Sequence, residues 1–256
     1  MTKSYGRRAA PLARFMGRLW ADAESAYRAK ILDSLAPDPS AVLLDVGCDD
    51  GAWTDEIRKR LGVPSQQVHG IELVADRAAL ARDRGFDVRI GDLDQQWPFD
   101  DSSIDVVHAN QVIEHVKRLD HFVGEIGRIL APRGFAIVCT ENLASWHNVA
   151  ALVLGYQPFS LTNVSNIRFI GNRFALHAEE LPPGEAAQHI HVITLTALRD
   201  ICTAHGLIVD DAWGTGYHPL PGRLAGRMAT LDPRHAHFIA VVARRGDRDA
   251  GLQSAQ

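Results

Sequence analysis

The residues best suited to chemistry lie in a glycine-bearing turn. The short apolar run from Ala41 to Val46, which includes Asp45, leads into Gly47-Cys48-Asp49-Asp50-Gly51. A run of this length that ends at glycine predicts a strand covered on both faces, and a helix is predicted from Ala52 to Leu61. Such a strand, turn and helix leave free backbone N–H groups at the helix N-terminus. We therefore expect Asp45, Gly47, Cys48, Asp49 and Gly51 to bind polar or anionic groups of a ligand.

Acidic residues at two later strand ends define that ligand further. Glu72 and Leu73 end a predicted strand about 20 residues after the turn, where an acidic side chain accepts hydrogen bonds from ribose hydroxyls. Asp92 and Leu93 follow the next predicted strand, where a carboxylate can accept from an adenine amino group. A glycine turn alone has a structural explanation, and Glu72 alone suits a solvated surface. Together the three strand ends favour an adenosine-containing ligand.

Helical and strand patterns alternate along most of the chain. This alternation predicts βαβ units and a mostly parallel sheet with a Rossmann-like α/β fold. The predicted helices cover 22–35, 52–61, 76–84, 119–130 and 194–205, and the predicted strands cover 41–46, 68–73, 87–90, 104–109, 135–140, 207–213 and 237–242, with a turn at 132–134.

Six motifs between residues 40 and 142 resemble the class I S-adenosylmethionine-dependent methyltransferases, particularly the ubiquinone-biosynthesis-like (methyltransferase type 11) group. They match in content, order and spacing: Leu44-Asp45-Val46-Gly47-Cys48-Asp49-Asp50-Gly51, Gly70-Ile71-Glu72, Gly91-Asp92-Leu93, the segment 99–107 followed by Val112-Ile113-Glu114-His115-Val116, and the segment 125–134.

The resemblance implies a seven-stranded sheet with a reversed last strand and helices on both faces. It implies S-adenosylmethionine as cofactor and S-adenosylhomocysteine as product. Gly47 and Cys48 would lie beside the methionine part, Glu72 at the ribose, Asp92 at the adenine and Asn110 near the sulfonium. Asp49 departs from the family pattern, which usually has glycine there, and aspartate tolerates left-handed backbone angles better than most residues.

Three histidines are candidate catalytic residues. Methyl transfer to a hydroxyl needs a base, and His115 follows the fourth predicted strand, so its neutral imidazole suits that role. A structural role within its own loop is an equal alternative. His189 and His191 are further candidates at the end of an irregular segment. Members of the superfamily with Glu-x-x-Glu-His bind magnesium, but here Gln111 replaces the first carboxylate, and we predict no metal.

Residues 141–193 break the regular alternation. A long irregular connection within a compact domain is unusual unless it is a lid or a binding loop, so we predict a substrate-binding insert within a methyltransferase domain at 37–244. The aromatic and amide side chains of this insert suit a polar organic molecule, although packing of a lid or an oligomer interface is an alternative; they are Trp146, His147, Asn148, Tyr156, Phe159, Asn163, Asn166, Arg168, Asn172 and Arg173.

The two ends of the chain are predicted to differ. Residues 1–36 form a helical segment that begins with a basic amphipathic stretch, whose apolar stripe packs on the protein itself or, alternatively, lies on an anionic membrane or a lipid-linked substrate. Residues 245–256 form a polar, flexible tail. No run of residues is long and apolar enough for a transmembrane segment.

Composition limits the partners. The net charge of -4 disfavours DNA and bulk RNA binding, and the three unpaired cysteines fit a reducing, cytoplasmic location. We expect O-methylation of a small or carrier-linked hydroxylated molecule, such as a sugar, a surface-glycan unit or a natural product. RNA methylation and a non-catalytic cofactor-binding regulatory protein are the alternatives, and a homo-oligomer is possible.

Overall fold

The computed structural model describes residues 10–175 and 188–246, with side chains from Arg14 onward. The described chain contains seven helices and seven strands. In chain order they are α1 (Ala10–Asp33), β1 (Leu43–Val46), α2 (Ala52–Leu61), β2 (Val68–Glu72), α3 (Ala75–Asp83), β3 (Asp87–Ile90), β4 (Ile104–Asn110), α4 (Leu119–Ile129), β5 (Leu130–Glu141), α5 (Trp146–Val153), α6 (Leu195–Ala204), β6 (Leu207–Thr215), α7 (Gly222–Leu231) and β7 (Phe238–Arg245).

The seven strands form one sheet in the order β3-β2-β1-β4-β5-β7-β6. The first five strands of this order run parallel to one another. The last strand of the chain, β7, is antiparallel to them. Val46 pairs with Ile71 and with Ala109, and Glu72 pairs with Ile90. These pairings bring the carboxyl ends of β1, β2, β3 and β4 to one edge. The predicted Rossmann-like fold is confirmed, including the reversed last strand.

Burial explains why the elements form where they do. All four residues of β1 are buried, as expected for a central parallel strand. Helix α4 buries Phe122, Val123, Ile126 and Ile129 on one face, which is the 3.6-residue period of an amphipathic helix. Gly62 ends α2 with a positive φ and donates its N–H to Arg58 O, a common helix C-terminus.

The structure corrects several predicted boundaries. Helix α1 is continuous from Ala10, where two stretches were expected. The predicted turn at 132–134 lies within β5, because Leu130 already pairs with Ile104 before the register shifts and Phe135 pairs with Val106. Helices α5 and α7 were not predicted. Helix α7 buries Ala225 and Ala229.

The chain divides into two compact units. The sheet unit comprises Ile31–Thr140, Thr196–Ala212 and Ala240–Gln256, and the insert unit comprises Met1–Lys30, Glu141–Leu195 and Trp213–Ile239. The predicted division into 1–36, 37–244 and 245–256 stays a proposal. Lys3, Arg7 and Arg8 of the basic stretch, part of the predicted insert and most of the predicted tail lie outside the described residues.

In the insert unit, α1 buries one stripe of side chains. Leu19, Ala23 and Tyr27 are buried, and the Tyr27 ring stacks on Phe238 with 4.6 Å between ring centroids. Of the predicted amphipathic stripe, Leu19 is buried, whereas Phe15 and Trp20 are exposed, so its packing on the protein stays a prediction. Among the described residues, no helix combines the length and apolarity needed to cross a membrane.

Candidate functional site

The turn after β1 combines three residues of positive φ. Gly47, Asp49 and Gly51 have φ values of 71°, 50° and 74°. Gly47 donates its N–H to Ile71 O at 2.8 Å, and a Cβ on Gly47 would lie 2.5 Å from Cγ2 of Val112. Only glycine fits without displacing that side chain. The turn thus passes close to both β2 and the segment after β4, as a binding turn must.

Asp45 lies beneath the turn in a buried polar cluster. Its Oδ2 accepts a short hydrogen bond from the Thr54 hydroxyl, and its Oδ1 lies 2.7 Å from Nδ1 of buried His108. Nε2 of His108 lies 3.4 Å from the Trp53 indole nitrogen, which donates to it. His108 therefore has its proton on Nδ1 and donates to Asp45. Asp45 ties β1 to α2 and β4, so we assign it a positioning role beneath the turn.

Glu72 connects the ends of β1 and β2. Its Oε2 accepts the Asp49 N–H at 3.0 Å, and its Oε1 accepts the Val74 N–H at 2.9 Å. A carboxylate oxygen has two lone pairs, so each oxygen keeps one for a further donor such as a hydroxyl. The neighbouring Leu73 and Val74 side chains are about half exposed. This arrangement suits a ligand that pairs two hydroxyls with an apolar face.

Asp49, the residue that departs from the family pattern, forms an ion pair with Arg77 of α3. Nη2 of Arg77 donates to Oδ2 of Asp49 at 2.6 Å, and Nε donates to Oδ1. This bidentate contact lowers the pKa of Asp49 below its ordinary value, chiefly through the Arg77 hydrogen bonds. Arg77 also lies 3.4 Å from Asp50. The arginine holds the unusual side chain to one side of the turn and balances its charge.

Asp92 and Leu93 follow β3 as predicted. Oδ1 of exposed Asp92 accepts the Asp94 N–H at 2.9 Å, which fixes the carboxylate in a local turn. Oδ1 of Asp94 accepts the backbone N–H groups of Lys117 and Arg118 at 3.0 and 2.8 Å. Asp94 therefore anchors the segment before α4. This role was not predicted, because its partners lie more than 20 residues away in sequence.

Cys48 contributes packing to the turn. Its side chain is 6% exposed, and burial together with nearby Asp45 raises the pKa of its thiol well above the ordinary value. A Cβ on Gly70 would lie 2.6 Å from the Cys48 Sγ, which explains the glycine in Gly70-Ile71-Glu72. The neutral thiol is therefore not a nucleophile, and we keep Cys48 as a candidate for cofactor contact only.

The segment after β4 carries the predicted base. Asn110 ends β4 and pairs with Cys139, and Gln111 follows with a φ of 55°. Buried Glu114 accepts the Thr140 hydroxyl at 3.0 Å, while His115 is partly exposed. His115 therefore stands at the carboxyl edge of the sheet on a segment that its buried neighbour holds in place.

His189 and His191, the other candidate catalytic residues, belong to the insert unit. Nδ1 of His189 lies 2.7 Å from Ser160 O. Ser160 is itself held by Asn148, whose Nδ2 donates to the Ser160 hydroxyl at 2.9 Å. Nε2 of His191 is buried and has no hydrogen bond within the described part of the chain. The catalytic role of both residues stays a prediction.

The insert unit also contains a cavity of about 280 Å³. Much of its wall is apolar. Asn172, one of the predicted insert residues, adds a side-chain amide to the wall. Two helices contribute, α1 through Met16 and α5 through Ala150 and Ala151. The residues that line the cavity include Met16, His147, Ala150, Phe159, Phe174 and His218.

The carboxyl edge of the sheet fits S-adenosylmethionine. Gly47 leaves room where a side chain would meet Val112, and the fixed Glu72 carboxylate can still accept from two hydroxyls. Asp92 presents an exposed carboxylate one strand further along. The predicted residues stay the candidates for holding the cofactor, and Arg77, Asp94 and His108 are added as supports that sequence patterns did not reveal.

Comparison with known proteins agrees with this geometry. A model of a methyltransferase domain family matches residues 14–212. The ubiquinone biosynthesis O-methyltransferase of Rhodopseudomonas palustris (strain HaA2) is 27% identical over 187 residues, which are 71% of this chain and 64% of that protein. The chain therefore spans less than two thirds of the length of this curated relative.

Solved structures share the fold. A methyltransferase bound to the Trm112 activator from Haloferax volcanii superposes with a TM-score of 0.59 at 18% identity, over 93% of this chain and 96% of that one. Geranyl diphosphate C-methyltransferase from Streptomyces coelicolor, solved with Mg²⁺, geranyl diphosphate and S-adenosylhomocysteine, gives 0.54 at 16% identity, over 87% and 80%. The chain belongs to the methyltransferase domain family, and its predicted place among the class I S-adenosylmethionine-dependent methyltransferases, with that molecule as cofactor, is confirmed.

Proposed function

We propose that this protein transfers a methyl group from S-adenosylmethionine to a hydroxyl of a small or carrier-linked molecule that has an apolar ring or chain. The observation that carries the proposal is the Glu72 carboxylate, fixed between Asp49 and Val74 with acceptor capacity to spare. The relative from Rhodopseudomonas palustris is an O-methyltransferase of ubiquinone biosynthesis, which supports a hydroxyl as the acceptor group.

The residues of the sheet unit divide the work. Bound S-adenosylmethionine would supply the methyl group of its sulfonium. The sulfur would leave as the thioether of S-adenosylhomocysteine. Glu72 and Asp92 would hold the adenosine part, and the turn from Gly47 to Gly51 would hold the methionine part. His115 takes the proton of the acceptor hydroxyl as the oxygen–carbon bond forms. Alignment and exclusion of water provide the remaining acceleration.

The apolar cavity of the insert unit supports an acceptor with an apolar portion. Methionine, alanine and phenylalanine side chains provide much of its lining, and such walls bind rings or chains better than sugars. We propose that this cavity of the insert unit binds an apolar ring or chain of a small-molecule ligand. RNA, which proteins recognise through basic and stacking surfaces, is disfavoured.

Calorimetry and transfer assays test the proposal. The chain should bind S-adenosylmethionine and S-adenosylhomocysteine, and should transfer a labelled methyl group to hydroxylated aromatic compounds but not to their deoxy analogues. Absence of binding to either cofactor form would overturn the enzymatic role and favour a non-catalytic protein. Binding with transfer only to amines or carbon would overturn the choice of hydroxyl.

Substitution of His115 tests the base. His115→Ala should lower kcat by roughly 100-fold or more, the usual contribution of a general base, with cofactor affinity little changed. His121→Ala is the matched control, because His121 is an exposed histidine of α4 whose ring lies beside Gln95 O. A near-normal rate of His115→Ala at saturating acceptor would exclude the role.

Filling the cavity tests the acceptor site. Ala150→Phe should raise the KM for an apolar acceptor about tenfold, because the new ring takes up space in the cavity wall. Leu152→Phe, at an exposed position of the same helix outside the cavity lining, is the control and should leave KM unchanged. Equal KM values for both variants would remove the cavity from the proposal.

A further inference from the structure

Three histidines of the insert unit bring their ring nitrogens together. His147 lies in the first turn of α5, His218 between β6 and α7, and His237 directly before β7. Each offers a nitrogen, and these three atoms all lie within 4.8 Å of one another. The ring centroids are 4.6 to 4.9 Å apart. The three rings thus form one compact cluster, here called the histidine cluster.

The buried nitrogens of the histidine cluster have no hydrogen bond within the described residues. They are Nδ1 of His147, Nδ1 of His218 and both ring nitrogens of His237. His218 is 5% exposed and His237 is 6% exposed. A buried polar group without a partner costs about 1–3 kcal/mol. Three such rings in contact require an explanation, and a shared ligand would satisfy their lone pairs together.

The cluster is in the protonation state that metals require. Burial lowers the pKa of His147 to about 3, with a smaller effect from His218. The pKa of His218 and that of His237 are also lowered, chiefly by burial. All three rings are therefore neutral near pH 7, and protons do not compete for the lone pairs that bind a metal ion.

Backbone contacts hold the cluster in place. His237 donates its backbone N–H to Gly216 O at 2.8 Å, and His237 O accepts the Asn142 N–H at 3.0 Å. Nδ2 of Asn148, one residue after His147, donates to Asn142 O at 3.0 Å. The His147 and His237 rings are stacked with 18° between their planes, so their side chains must rotate to turn a nitrogen of each toward a common point.

We propose that His147, His218 and His237 bind one divalent transition-metal ion, preferentially zinc, through three imidazole nitrogens. Imidazole suits zinc, copper, nickel and iron, whereas magnesium and calcium prefer oxygen ligands. Zinc–nitrogen bonds of about 2 Å would draw the three nitrogens slightly closer than they are.

The fourth position of such an ion opens toward the cavity. Sites with three protein ligands keep one position for water or another ligand, and His147 and His218 both line the cavity of about 280 Å³. An oxygen donor there, such as a phenolate or a carboxylate, is the class of ligand that this position would take. The metal site stands on the insert unit alone and does not depend on the proposed methyl transfer.

Zinc titration of the full chain tests the proposal. After chelator treatment, calorimetry should show one zinc bound per chain, and zinc should raise the melting temperature. Cobalt(II) in the same place should give the strong visible absorption of a four-coordinate ion. His237→Phe keeps a ring and removes both unpartnered nitrogens, so its metal-free form should melt at the same temperature or higher.

The variants decide the outcome. His237→Phe and His218→Asn should each lower zinc affinity by more than the roughly 10- to 100-fold that loss of an outer-shell partner costs, and the zinc-dependent rise in melting temperature should disappear. His205→Ala is the control, because His205 lies in the sheet unit beside Asp120. Absence of saturable zinc binding, or equal affinity in wild type and both cluster variants, would overturn the proposal.

Discussion

The candidate cofactor site of the sheet unit and the histidine cluster of the insert unit differ in the hydrogen bonding of their polar side chains. In the sheet unit, Asp45 and Glu72 each use both carboxylate oxygens in hydrogen bonds within the protein. In the insert unit, His218 and His237 are buried with ring nitrogens that have no partner within the described residues. The first unit has a site already fixed by its own contacts, whereas the second has groups that a ligand would complete.

The difference also appears in the sequence. The candidate cofactor residues follow the ends of neighbouring parallel strands, so short motifs mark them. The histidine cluster comes from three segments far apart in the chain, one of them in a helix that was not predicted. We therefore expect substitutions in the candidate cofactor residues and in the histidine cluster to differ in their effects on stability and on ligand binding.

Loss of Asp45 should have the largest effect. Asp45→Ala leaves the buried Thr54 hydroxyl and the His108 Nδ1–H without their acceptor, which should lower the free energy of unfolding by about 2–5 kcal/mol. Urea denaturation measures it. Asp100→Ala, at an exposed loop position, is the control, and similar stability of the two variants would contradict the contrast between the units.

Glu72→Gln should affect the cofactor more than the fold. One oxygen and its charge are lost, so the hydroxyl-accepting capacity falls, and we expect S-adenosylmethionine affinity to drop roughly 10- to 100-fold. Calorimetry provides the measurement. Glu56→Gln, on the exposed surface of α2, should bind normally. Unchanged affinity in Glu72→Gln would refute the ribose assignment.

A fall in pH should lower the stability of the metal-free protein by protonating the histidine cluster. The pKa of His147 is about 3 in the folded state against an ordinary value of 6.5, so the unfolded chain binds more protons between these pH values. The stabilisation is complete above about pH 6.5 and is lost as the pH falls toward 3, on the order of 1–2 kcal/mol by pH 5.

Denaturation at pH 7.5 and pH 5 measures this loss of stability. His147→Phe should lose less stability than wild type over the same interval, because one of the three buried histidines with a lowered pKa is gone. An equal loss in both proteins would show that His147 is not buried in its neutral form.

The Arg77–Asp49 pair should have the smallest effect. Both side chains are well exposed, and exposed ion pairs contribute about 0–1 kcal/mol. Arg77→Ala should therefore weaken cofactor binding only a few-fold, and Asp49→Gly, which suits the positive φ, should be tolerated. Arg28→Ala, which breaks an exposed pair with Glu24, is the control. A loss of binding in Asp49→Gly would give this aspartate a direct role in the site.

The fold could be predicted from the sequence where burial gives a strand or a helix a local hydrophobic period. The buried run that ends at Val46 and the amphipathic face of α4 identify themselves, because burial imposes one period on strands and another on helices. Helix α7 was not predicted, although its apolar residues recur at helical spacing, because Gly222 and Gly226 lower the helix propensity of the segment. The turn at 132–134 was misplaced because pairing of Leu130 with Ile104 depends on a partner strand that the local pattern does not include.

Local motifs were enough to identify the family, the cofactor and the edge of the sheet where Gly47, Glu72 and Asp92 lie. They were enough because parallel strands carry their ends to one edge whatever the rest of the chain does. The contacts of Arg77 with Asp49, the burial of Asp45 between Thr54 and His108, and the meeting of three distant histidines became known from the folded chain. Such contacts depend on packing between segments that no local spacing relates.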